Sequence, residues 1–403
     1  MPRITVSPPR PAFDEALTIV VDGLPAGAAV TMRASQTDPT GTPWGAVETF
    51  TAGADGTVVP ERPMRLITSM TPDADAPIAT PDVLTLVAEV DAAPVAVVHV
   101  ERLRVPDGLH RSDLGDGSVG VCYEPAGDAT GLPGVLLLGG SEGGLHDTDA
   151  ALLARHGFVV VALAYFGAAG LPPALVDVPL EYLARAVDRL AAHPRVDPSR
   201  VVVAGGSKGG EAALLVGAHF PAVRGVVSVV GSGVVTQGAD FTLGSFLDIV
   251  STPVAGWTLG GEPVPYLPHV VADEVRDAVA EGAPATLRAV FRPALELPTR
   301  EAATIPVERI NGPVLLLSTE DDQGYGPEFH EIAAARLAAH GRPHENVVYP
   351  GAGHLIAAPP YSPTTVSVLP GPGVLFDNGG TPEATAFARE DAWRRLREFV
   401  AGI

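Results

Sequence analysis

The most constraining feature of the chain lies near its middle. A short strand-like segment, Arg200-Val-Val-Val-Ala204, apolar from Val201 onward, passes directly into Gly205-Gly-Ser-Lys-Gly-Gly210 and then into a helix-forming segment from Glu211 to His219. A strand buried on both faces reads as continuous hydrophobic sequence and belongs to a parallel sheet covered by helices. The same grammar recurs on either side. Strands are expected at Gly134–Leu138, Phe158–Leu163, Val226–Val230, Val314–Ser318 and Asn346–Tyr349. They alternate with helices at Thr148–His156, Leu180–His193, Glu328–His340 and about 384–401. Strand–helix alternation of this kind predicts an α/β, doubly wound, mainly parallel sheet.

Residues before this region follow another pattern. Leu17–Val21, Ala29–Ala34, Val83–Val90 and Val95–Val100 are short, rich in β-branched residues, and separated by Gly, Pro and Asp. This predicts a small all-β sandwich over 1–108, a linker at Val105–Gly108, and an α/β domain over 109–403. About 75 residues, Ser232 to Val307, interrupt the α/β alternation and are rich in Pro, Gly and aromatic residues. An insertion of this size near strand ends is expected to act as a cap or pocket lining.

Charge and composition narrow the partners. With 26 basic against 47 acidic residues, the net charge is −21, which disfavours nucleic acid and anionic membranes. A long uncharged stretch, His156–Val176, contains three Gly and two Pro and reads as strand plus loop, not as a membrane span. The single cysteine, Cys122, excludes an internal disulfide framework and is expected to be buried in a strand. With no apolar signal segment at the N-terminus, a cytoplasmic protein is expected. Neither a metal-ligand set nor a flavin, nicotinamide or haem motif is evident.

Gly205-Gly-Ser207-Lys-Gly209 fits G-x-S-x-G in strand–turn–helix context, which makes Ser207 the candidate nucleophile. In this architecture an acid and then a histidine follow the serine in the chain. Asp321 and Asp322 follow the strand ending at Ser318, and His354 follows the strand ending at Tyr349. Both positions lie where loops leave the carboxyl ends of strands, the edge at which such sheets build sites. Oxyanion donors are expected from the backbone N–H of Lys208 and from one of Ser141, Glu142 or Gly143 in the Gly139–Gly144 loop. Lys208 is also the only lysine among 26 basic residues, which suggests that its side chain is constrained, with Glu211 or Glu142 as possible partners.

Several motifs together resemble the acyl-CoA thioesterase / bile acid-CoA:amino acid N-acyltransferase family. They are Gly205-Gly-Ser-Lys-Gly-Gly-Glu211, Ile305-Pro-Val-Glu-Arg309, Asp321-Asp322, Gly353-His-Leu-Ile-Ala-Ala-Pro-Pro-Tyr361, Ala162-Leu-Ala-Tyr165 and Asp391-Ala-Trp393. Leu24 and Thr31–Ser35 match in the β-rich region. The resemblance implies an α/β-hydrolase domain, a small-molecule acyl-CoA substrate, an acyl-enzyme intermediate and no cofactor beyond the coenzyme A of the substrate. It implies Asp322 as the triad acid, leaving Asp321 to bond within its loop. Thioesterase members carry Ser at the elbow and the amino-acid-conjugating members typically Cys, so Ser207 favours hydrolysis. The alternatives are acyl transfer to an amine or alcohol and a carboxylesterase or dienelactone-hydrolase-like activity. The family's Trp shortly after the Asp pair is here Tyr325, which with Trp257 of the insertion is expected to touch substrate.

Overall fold

Val201, Val202, Val203 and Ala204 are all fully shielded from water, as expected for a strand sandwiched between helix layers. They belong to β5 (Val196–Gly206), which pairs in parallel with β3 (Leu132–Leu138) and β6 (Gly225–Val229). The remaining strands are β1 (His110–Gly115), β2 (Ser118–Glu124), β4 (Val159–Leu163), β7 (Val314–Thr319) and β8 (His344–Tyr349). The computed structural model describes residues 1–74, 81–115 and 117–403. Its eight-stranded sheet has the order β1-β2-β4-β3-β5-β6-β7-β8. The strands from β3 to β8 are mutually parallel, and β1 and β2 are antiparallel additions at one edge. Helices α1 (Asp147–Ala154), α2 (Leu180–Ala191), α3 (Lys208–His219), α4 (Pro327–Ala339) and α5 (Pro382–Gly402) pack on the sheet. This is the α/β-hydrolase fold. Cys122 lies buried in β2.

The strand order explains where a site forms. From β3 the chain crosses to β4 on one side, whereas from β5 it crosses to β6 on the other. The connections leaving the carboxyl ends of the neighbouring strands β3 and β5 therefore run to opposite sides, leaving a crevice at the switch point. The Gly139–Gly144 loop leaves β3 there, and Ser207 leaves β5.

The chain divides into two compact units, Met1–Asp107 with Pro359–Val366, and Gly108–Ala358 with Ser367–Ile403. The first holds a five-stranded antiparallel sheet, ordered Thr71–Pro72, Pro43–Thr51, Ala29–Thr37, Val83–Val90 and Ala93–Glu101, and a two-stranded ribbon of Arg3–Ser7 with Thr18–Asp22. Alternate residues Val30, Met32, Leu84 and Leu86 point into a core with Ile19 and Val21. The division departs from the expected continuous domain over 109–403, because Pro359–Val366 belongs to the first unit. Tyr361 is buried in that unit's core, and its carbonyl accepts from the buried Arg102 guanidinium at 2.8 Å. The Thr364 N–H donates to the Thr68 carbonyl at 3.0 Å. A short Pro-, Ser- and Thr-rich excursion has no periodicity by which sequence could assign it to a distant sheet.

Between β6 and β7 the insertion forms short elements, among them helices Phe246–Ser251, Asp273–Glu281 and Arg288–Phe291. Val234, Phe246, Val250, Leu267, Val290 and Phe291 form a core of their own with Tyr325 and Phe329. Among the described residues, no helix is long and apolar enough to cross a membrane.

Candidate active site

Ser207 has φ 53° and ψ −121°, a left-handed conformation that a serine adopts only when its surroundings impose it. The flanking glycines make the turn possible. A Cβ on Gly205 would lie 2.2 Å from the Gly209 carbonyl oxygen, and one on Gly209 would lie 2.3 Å from that of Gly139. The serine is thereby held at the N-terminus of α3, with its amide donating to the Val229 carbonyl at 2.8 Å.

His354 and Asp322 meet this serine. His354 Nε2 lies 3.0 Å from Ser207 Oγ, and Nδ1 lies 2.8 and 2.9 Å from the two Asp322 carboxylate oxygens. Asp322 is completely buried and also accepts the Gly324 N–H at 2.6 Å. Burial pushes its carboxyl group upward against the opposing charge and hydrogen bond of His354. Burial alone would depress the His354 imidazolium, but the adjacent Asp322 carboxylate more than offsets it, so this group lies above its ordinary value. Asp321 points elsewhere: its carboxylate accepts from the Gly380 N–H at 2.8 Å and from Gln323 Nε2 at 2.9 Å.

The three loop candidates for oxyanion binding separate. Gly143 N–H is directed at the Gly140 carbonyl, 3.3 Å away. The Glu142 carboxylate accepts the Gly140 N–H at 2.9 Å, pairs with His146 Nε2 at 2.9 Å, and bonds its own amide. Ser141 lines the same cavity as Ser207 and Lys208, and its N–H has no acceptor among the described residues. Lys208 is the first residue of α3, so its N–H has no acceptor within the helix either. His146 was not anticipated from sequence. It bridges Asp149 at 3.2 Å and Glu142, and these two hydrogen bonds, Asp149 foremost, raise its imidazolium to about 10. Two carboxylates three and four residues to either side are the signal that could have found it.

The Lys208 side chain turns away from the cavity mouth into a buried network. Its ammonium donates to the Thr236 carbonyl and hydroxyl, both at 2.7 Å, and pairs with Glu211 at 2.8 Å. Glu142, the other candidate partner, takes no part. Glu211 is fully buried and also accepts from Trp257 Nε1 at 2.8 Å, from Thr236 N–H at 3.0 Å and from Thr236 Oγ1 at 2.8 Å. Tyr325 OH lies 2.7 Å from Thr236 Oγ1 and completes the chain. Thr236 was missed because a lone Thr in an irregular insertion carries no sequence signal.

An apolar cavity of about 120 Å³ opens beside Ser207 and His354. Leu175, Phe241, Phe246, Ile249, Phe291 and Phe376 are among its walls, so much of the lining comes from the insertion. Tyr325 lines it, with its ring stacked on Phe291 at 4.9 Å. Trp257 does not. It is completely buried, and its indole N–H is engaged by Glu211, so it joins the insertion to α3 and is not a substrate contact. Among the described residues, no group of three or more His, Cys, Asp or Glu is placed to hold a metal ion.

Comparison with known proteins agrees with the motifs. Residues 178–402 match the family model described as BAAT / Acyl-CoA thioester hydrolase C terminal, and residues 14–116 match Acyl-CoA thioester hydrolase/BAAT N-terminal region. Acyl-coenzyme A thioesterase 1 of Homo sapiens is 32% identical over 97% of this chain and 94% of its own length. Acyl-coenzyme A amino acid N-acyltransferase 2 of Mus musculus is 34% identical over 74% of this chain and 67% of its own length. Among solved structures, a thermostable carboxylesterase cloned from a metagenomic library aligns over 74% of this chain and 90% of its own at 19% identity, with a TM-score of 0.42. An esterase from Pyrobaculum calidifontis aligns over 72% and 84% at 17% identity, with a TM-score of 0.43. The chain belongs to the acyl-CoA thioester hydrolase/BAAT family.

Proposed function

We propose that this protein is a serine-dependent acyl-CoA thioester hydrolase that works through an acyl-enzyme. The observation that carries this reading is the continuous hydrogen-bonded series Ser207–His354–Asp322 at the mouth of an apolar cavity. The relatives, named as acyl-CoA thioesterases and acyl-CoA N-acyltransferases, support the thioester substrate.

In the proposed cycle the acyl chain enters the apolar cavity. Ser207 Oγ attacks the thioester carbonyl carbon as its proton passes to His354 Nε2. Asp322 holds the ring with Nδ1–H toward itself and stabilises the imidazolium. The carbonyl oxygen, now an anion, accepts hydrogen bonds from the N–H groups of Lys208 and Ser141. Each such donor is worth about 3–4 kcal/mol in the transition state. The carbon–sulfur bond breaks, and the CoA thiolate takes the proton from His354. Water then gives a proton to His354 Nε2 and its oxygen attacks the acyl-serine. The acid leaves as the proton returns to Ser207. A cytoplasmic setting is part of the same reading, supported by the lone, buried Cys122.

Intact-mass spectrometry tests the covalent step. Wild type treated with a fluorophosphonate or an acyl-CoA gains one adduct, and Ser207→Ala gains none. An equal adduct on Ser207→Ala sinks the assignment. Release of free acid in the presence of glycine supports hydrolysis, and release of an N-acyl amino acid supports the acyltransferase alternative.

A further inference from the structure

The wall of the apolar cavity holds a histidine whose ring nitrogens have no hydrogen-bond partner among the described residues. Two other polar side chains of that wall are engaged. Gln237 donates to the carbonyls of Ile249 at 3.2 Å and Thr252 at 3.0 Å and accepts the His269 backbone N–H at 3.0 Å. The Tyr325 hydroxyl is engaged by Thr236. His269 differs. Both its ring nitrogens are shielded from water, and neither has a hydrogen-bond partner among the described residues. Its ring packs against Phe291 at 4.8 Å, on the wall of the cavity.

A buried imidazole without partners is unfavourable, and native proteins keep few such groups. Phenylalanine or leucine would fill the same space at no polar cost. The ring is also held neutral: burial, and then the nearby Lys208 ammonium, depress its imidazolium to about 3. A neutral imidazole offers one N–H donor and one lone-pair acceptor. A hydroxyl complements that pattern because it also donates and accepts. A carboxylate only accepts, an ammonium only donates, and a plain hydrocarbon chain does neither.

We propose that His269 is a specificity-determining residue that binds a hydroxyl group carried by the acyl chain of the substrate. This rests on the reading of the apolar cavity as the acyl site. A site that presents buried polar groups to a hydroxyl discriminates against the analogue lacking it, because those groups are then left unpaired.

The test uses Ser207→Ala protein, so that binding is read without turnover. Calorimetry compares octanoyl-CoA with its monohydroxylated isomers, the hydroxyl moved along the chain from carbon 3 to carbon 8. At least one isomer is expected to bind about tenfold or more tightly than octanoyl-CoA. Adding His269→Phe brings that ratio to about 1, whereas His269→Gln, whose amide both donates and accepts, retains part of it. The proposal is overturned if no isomer binds more tightly than octanoyl-CoA, or if the preference survives His269→Phe. The hydrolase reading is judged separately, by CoA release from wild type. Selective binding without release leaves His269 in its role and removes the hydrolase assignment, and release without selectivity does the opposite.

Discussion

The Lys208 ammonium lies 2.8 Å from a Glu211 carboxylate oxygen one turn along α3, and both side chains are withdrawn from water. Burying an ion pair gains stability only when further hydrogen bonds satisfy both groups. Here Thr236 and Trp257, both from the insertion, supply them. The pair therefore fastens the insertion to the helix that begins directly after Ser207. In the proposed cycle the amide of Lys208 serves the oxyanion, while its side chain is tied to Thr236 and Glu211.

Removing one partner of a buried pair strands the other. Lys208→Met leaves Glu211 buried with three remaining donors, and it is expected to cost stability at the lower end of the ~3–5 kcal/mol seen for broken buried pairs. Lys208→Arg forces a larger planar head into the same space and is expected to cost about 1–3 kcal/mol. Thermal melts and kcat/KM for both variants check this. Wild-type values in both quantities for either substitution would show that the side chain is dispensable.

The adjacent aspartates make a controlled comparison. Asp322→Asn removes the charge that orients His354 and is expected to lower kcat about 10⁴-fold, as in other triads. Asp321→Asn loses only an acceptor for Gly380 and Gln323, so its kcat is expected to stay within about tenfold of wild type. If Asp321→Asn is the more damaging change in folded protein, the roles are reversed.

Much of this site was legible because its parts are local signals at strand ends. Ser207 announces itself by small neighbours around a sharp turn, and His354 by its place after the last parallel strand. Lys208 stood out only by its solitude among arginines, and the structure gives it Glu211 as a partner. What sequence did not reveal is mostly contact between distant, irregular segments. Trp257 looked like a pocket aromatic because nothing local indicates that its indole N–H meets Glu211, 46 residues earlier. Thr236, His269 and Pro359–Val366 lie in stretches with neither period 2 nor period 3.6, so only the folded chain gives them neighbours. Sequence left Ser141, Glu142 and Gly143 as equal choices, and only the folded loop shows that the Gly143 N–H is directed at the Gly140 carbonyl.

Gly209 is a steric test of the elbow. A Cβ there would lie 2.3 Å from the Gly139 carbonyl oxygen and 2.5 Å from that of Leu138, both backbone atoms at the end of β3. Neither can swing aside as a flexible side chain would. Gly209→Ala is thus expected to push α3 away from the Gly139–Gly144 loop. The loss should exceed the ordinary ~1–3 kcal/mol of core overpacking and be accompanied by a fall in kcat. Circular dichroism melts and CoA-release assays on the variant provide the check, and an unchanged Tm would contradict the close packing of β3 on the elbow.

The pH dependence of kcat/KM reports on His354 in the free enzyme, because the attacking step needs its imidazole neutral. Two opposing influences act on that ring. Burial disfavours the imidazolium, and the Asp322 carboxylate favours it more strongly, so the folded protein protonates His354 at a pH above the ordinary value of about 6.5. The active neutral form consequently grows in as pH rises through a midpoint above 6.5, and kcat/KM should climb along that limb. Replacing Asp322 by Asn removes the favourable charge and leaves the burial, so the residual activity of the variant should show its acidic limb at a lower pH than wild type. The sign is decisive. A structural role for Asp322 alone would reduce activity at every pH without moving the midpoint, whereas electrostatic support of His354 moves it downward. Steady-state rates across pH 4–9 on both proteins distinguish the two, and an unmoved or raised midpoint in Asp322→Asn would remove Asp322 as the group that supports the His354 charge.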